Sequence, residues 1–60
     1  MTEITTQEAL IIIESRWPLG LFYCRTGCLY TGIDNSTGEA WTEDFADEES
    51  CINWLKEVQA

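Results

Sequence analysis

The chain contains no histidine, and from Thr26 through Leu55 it contains no lysine or arginine. The first absence removes the commonest general base and the commonest metal ligand. The second removes the basic footprint that contact with DNA or RNA phosphates requires, and with it attraction to an anionic membrane. Long apolar runs are missing as well. The longest, Ala9–Ile13, is far too short to cross a bilayer, and no basic segment precedes it as in a secretory signal. The expected location is therefore cytoplasmic, where Cys24, Cys28 and Cys51 are expected to stay reduced.

Chemistry-bearing patterns are equally scarce. Cys24 and Cys28 are four positions apart, not two as in zinc ribbons and redox motifs. Asp34-Asn35-Ser36-Thr37-Gly38 begins like a calcium loop, but its glycine comes one residue early and Phe45 holds the position of the bidentate glutamate. Asn35-Ser36-Thr37 also matches a glycosylation sequon, and is read here as turn chemistry. Glu43, Asp44 and Asp47 offer carboxylates for hydrolysis, but a small sheet gives them little cleft to work in. No enzyme activity, cofactor or metal is expected.

What the chain has in quantity is negative charge. Eleven acidic residues against three basic ones give a formal net charge of −8 over 60 residues. Six of the acids, Glu39, Glu43, Asp44, Asp47, Glu48 and Glu49, fall in one stretch threaded with Trp41, Phe45, Ile52 and Trp54. Disordered acidic segments are poor in aromatics, so this stretch is expected to fold and to present its charge. A single domain is the only option at this length, and its core is necessarily small.

Thr5-Thr6-Gln7-Glu8 ahead of an apolar run is a capping box. Ala9, Ile12, Ile13 and Trp17 follow on one helical arc with Leu10 on its flank, and Pro18 and Gly20 end the helix. Ile11 lies opposite the arc and is a candidate contact residue. Leu21–Arg25, Cys28–Asp34 and Glu39–Phe45 read as strands separated by short Gly-bearing links. A three-residue loop at Ser36-Thr37-Gly38 pairs Asn35 with Glu39, Ile33 with Trp41 and Leu29 with Phe45, placing Trp41 in the core. At the first hairpin the same loop sets Cys24 opposite Cys28 and turns Leu21 and Tyr23 inward, whereas a two-residue Thr26-Gly27 turn sends Phe22 and Cys24 inward. Both remain open.

Asp47 is the expected N-cap of a second helix, with Glu48 and Glu49 at its positive pole. Cys51, Trp54, Leu55 and Val58 form its apolar stripe, beside Ile52. The expected fold is α+β: helix, three-stranded antiparallel meander, helix, with both helices on one face of the sheet. Tyr30, Thr42 and Asp44 would then line the open face around Gly32.

Gly20-Leu21-Phe22-Tyr23-Cys24, Gly32-Ile33-Asp34-Asn35 and Cys51-Ile52-Asn53-Trp54-Leu55 give the chain a look similar to short, acidic, single-domain proteins of bacteriophages and mobile elements. That resemblance implies a stoichiometric binder that blunts or redirects a host factor. Some such proteins imitate the charge of DNA by spreading acids in rows, whereas here they cluster. The expected function is a non-enzymatic interaction module that dimerises and binds a basic protein surface. Glu43, Asp44, Asp47, Glu48 and Glu49 would steer the partner, with Tyr30, Trp41 and Ile11 as contact residues. Two alternatives stand beside it: a small-ligand or metal binder using the open sheet face or the three cysteines, and a purely structural protein.

Overall fold

A computed structural model describes residues 1–59. The elements run β1 (Thr2–Glu3), α1 (Thr6–Ser15), β2 (Gly20–Thr26), β3 (Leu29–Asn35), β4 (Trp41–Phe45) and α2 (Glu48–Gln59). The fold is α+β, with two helices and a four-stranded mixed sheet in the order β1-β2-β3-β4. The antiparallel β2-β3-β4 meander was expected; β1, which pairs in parallel with β2, was not. Two residues carry no periodicity. The strand is fixed by its neighbours, with Thr2 beside Phe22, Glu3 beside Tyr23, and the Ile4 N–H donating to the Tyr23 carbonyl at 2.9 Å.

Local chemistry sets the helix starts as expected. The Thr5 hydroxyl accepts the Glu8 N–H at 3.1 Å while the Glu8 carboxylate accepts the Thr5 N–H at 3.0 Å. Asp47 accepts the Ser50 N–H at 2.7 Å and caps α2. α1 ends at Ser15 with Arg16 as its C-cap in the left-handed region at φ 61, two residues before Trp17 would complete the apolar arc. Trp17 consequently leaves the helix and is exposed, as is Ile13; only Ala9 and Ile12 of the expected arc are buried.

The helices cover opposite faces of the sheet, which corrects the expectation of one. Cross-strand partners share a face. Phe22, Cys24 and Ile33 face one way and pack with Ile4, Ala9 and Ile12 of the α1 layer. Tyr23, Gly32 and Phe45 face the other way, where Trp54 and Cys51 of α2 lie against Gly32. The overall dimensions, 27 × 26 × 15 Å, agree with three layers. Four strands about 4.8 Å apart span roughly 14 Å, so the short dimension is the sheet's width.

This arrangement resolves the first hairpin. Its loop is Gly27-Cys28, which pairs Thr26 with Leu29 and Cys24 with Thr31, so neither expected register holds. Gly27 takes φ 63 at the first loop position, as a type II′ turn requires. Since both faces of β2 are covered, Leu21 and Tyr23 turn toward α2 while Phe22 and Cys24 turn toward α1.

The second hairpin is one residue out of the expected register. Ile33 pairs with Thr42, Asp34 with Trp41 and Tyr30 with Phe45. The cause is the fully buried side chain of Asn35. Its carbonyl oxygen accepts the Ala40 N–H at 3.1 Å and its amide donates to the Pro18 carbonyl at 2.8 Å. Closing the loop through a side chain, with Ala40 at φ 51, lengthens it by one residue and turns every β4 side chain over. Trp41 therefore stands 61 % exposed instead of filling the core.

Candidate interaction surface

The eight residues singled out from the sequence divide between the two sides of the sheet. Tyr30, Trp41 and Glu43 share the α2 face, and Asp47, Glu48 and Glu49 form the start of α2 above it. Asp44 points to the α1 face, where its carboxylate accepts the Thr31 hydroxyl at 2.7 Å. Ile11 also belongs to the α1 side. The open plate of Tyr30, Thr42 and Asp44 around Gly32 does not form, because α2 covers Gly32 and the register sends Thr42 and Asp44 to the opposite face.

The surface that does form is acidic around an aromatic. β4 is one edge of the sheet, with β3 on one side and, among the described residues, no strand on the other. Trp41 and Glu43 project from it on the α2 face, and Glu43, Glu48 and Glu49 are exposed. The basic residue of this side, Lys56, sits in the last turn of α2, two turns beyond Glu49. Both arginines are committed to main-chain carbonyls, Arg16 to those of Ile13 and Gly38 and Arg25 to that of Gly27.

Glu3 adds a carboxylate to the α2 face at the opposite sheet edge and was missed, because its position depends on β1. Burial raises the Tyr23 phenol above its ordinary pKa, and the charges of Glu3 and Glu48 raise it further. A β1 carboxylate and an α2 carboxylate thus bear on one tyrosine. Asp47 is driven the other way. Hydrogen bonds from the Ser50 backbone and then its hydroxyl hold its pKa below the usual range, so it stays ionised as a cap.

The thiols do not converge. Cys24 is buried on the α1 face, Cys51 is buried under α2, and Cys28 is exposed at the hairpin tip. Among the described residues no group of three potential ligands is placed to hold a metal ion. The sequon is closed off by geometry, since the Asn35 amide is fully buried and already donates to Pro18.

An open groove of about 260 Å³ runs along α1, lined by Ile4, Glu8, Ile11, Ile12, Trp17 and Pro18. Among the described residues no helix is long and apolar enough to cross a membrane. No family model, curated protein or solved structure matches this chain.

Proposed function

We propose that the chain is a non-enzymatic interaction module that holds a protein with a basic surface against its α2 side and β4 edge. The observation that carries this reading is the pairing of an exposed indole, Trp41, with the exposed carboxylates of Glu43 on the same edge strand and of Glu48 and Glu49 at the start of α2. Indoles give large contact area at low entropic cost, which makes Trp41 a suitable anchor. Glu43, Glu48 and Glu49 would accelerate encounter with a basic partner and fix its orientation. Charge on an edge strand also discourages pairing with a second acidic copy, which favours a partner of opposite charge. The mode of action that fits is stoichiometric occupation of the partner, in keeping with the resemblance to phage-type binders.

The test is capture from a bacterial lysate on immobilised protein, eluted by raising salt. A protein retained by the wild type should be lost with Trp41→Ala and with the combined Glu43→Lys, Glu48→Lys and Glu49→Lys variant. Retention of the same protein by both variants would refute the reading.

A further inference from the structure

The apolar side chains left uncovered on α1 lie away from the acidic surface, in the layer across the sheet. Ala9 and Ile12 fix the buried side of the helix. At about 100° per residue, the opposite side carries Gln7, Leu10, Ile11 and Glu14. All four are exposed, Leu10 at 56 % and Ile11 at 61 %. Past the helix end Trp17 stands 66 % exposed, and Ile4 lies at the other end of the same groove.

These residues form a pattern complementary to itself. Laid antiparallel about a two-fold axis between Leu10 and Ile11, α1 brings Leu10 against Ile11 of the second copy. The same operation sets Gln7 against Glu14. Both pairs match in kind: apolar with apolar at the centre, and an amide donor with a carboxylate acceptor one turn out. We infer that this face is the interface of a symmetric dimer in which two α1 helices pack antiparallel.

The charge distribution permits it. Both α2 helices and their carboxylates would point outward, beyond the sheets, and Asp44 lies at the far sheet edge from β1. Glu8 flanks the groove, but its carboxylate is occupied by the Thr5 N–H. Pairing through β4 would instead bring Glu43 and Asp44 close to their own copies. The area sets the strength. A stable interface takes about 800 Å² from each partner, roughly a fifth of the 3990 Å² surface, and the α1 strip offers less. The dimer is therefore weak and forms only at high protein concentration. It tightens with salt, because each copy carries −8.

Sedimentation equilibrium on the full chain, from about 1 μM to 1 mM at low and high salt, tests this directly. Ile11→Glu should weaken association at least tenfold by placing two carboxylates at the centre, with no change in the melting of the monomer. Gln7→Lys should tighten it about two- to tenfold, since each copy's Glu14 gains an ionic partner. A monomer across the whole range overturns the inference. So does a dimer that survives Ile11→Glu but dissociates with Thr42→Pro, which would place the contact at the β4 edge. Weaker association with Gln7→Lys would overturn the register. The inference is independent of the basic-partner reading, which concerns the other side of the sheet.

Discussion

Gly32 lies flat beneath the Trp54 indole, so close that a Cβ there would stand 2.9 Å from two of its ring carbons. Glycine in mid-strand usually weakens a sheet, and its value here is close approach of the helix. The indole has little freedom to retreat. Phe45 holds it with ring centroids 5.7 Å apart, and the Cys51 sulfur would be 3.3 Å from the same Cβ. Gly32→Ala should therefore destabilise by about 1–3 kcal/mol in urea unfolding, as overpacking does. Combined with Trp54→Leu, which makes room, the two losses should be less than additive. Strict additivity would show that the ring is not what the methyl meets.

Asn35 links two loops that are distant in sequence. Asn35→Ala removes the partner of the Ala40 N–H and of the Pro18 carbonyl, both in part-buried bonds, and should cost about 1–3 kcal/mol. In a domain of marginal stability that is a large part of the total. The expected readout is a lower urea midpoint together with faster amide exchange at Ala40. Unchanged exchange would mean that the loop closes without the side chain.

The same residue explains what the sequence conceals. Both helix caps were legible because Thr5 with Glu8, and Asp47 with Ser50, act within one turn of chain. The antiparallel order of β2, β3 and β4 followed from apolar runs broken by glycine. The β4 register was not legible, because it rests on a carboxamide bond across the loop that the spacing of Ser36, Thr37 and Gly38 does not reveal. Placement of the helices on both faces did leave a signal. Leu21-Phe22-Tyr23-Cys24 is continuous rather than alternating, as strands covered on both sides are. The acidic surface was visible as composition, but its division between faces depended on the register.

The Asp47 cap predicts a pH dependence. Its folded pKa lies below the unfolded value, so its contribution is present above about pH 4 and is lost as pH falls through the folded pKa. Asp47→Ala should melt lower than wild type at pH 7, and the gap should narrow as pH falls toward about 2. A gap of constant size across that range would show that the ionised carboxylate is not the capping group.

The thiols should separate by reactivity. Cys28 is exposed, whereas Cys24 and Cys51 are buried, and burial raises the Cys51 pKa and so lowers its thiolate fraction. Titration of the native protein with a thiol-specific disulfide reagent should consume one equivalent quickly and the other two at the rate of unfolding. Three equivalents at a single fast rate would place the buried cysteines at the surface.

Trp41 separates stability from binding. A buried tryptophan replaced by alanine costs about 3–5 kcal/mol, and the register expected from loop length would have put it there. The structure pairs it with Asp34 on an edge strand and leaves 61 % of it exposed. Its replacement should therefore shift stability by no more than about 0.5–1 kcal/mol, the scale of surface substitutions. Trp54→Ala, which empties a half-buried site against Gly32 and Phe45, should cost distinctly more. If Trp41 is the anchor for a basic partner, Trp41→Ala should leave the melt nearly intact and still weaken the complex tenfold or more, as loss of an interface hot spot does. A cooperative melt lowered as much as that of Trp54→Ala would return Trp41 to the core and overturn the register.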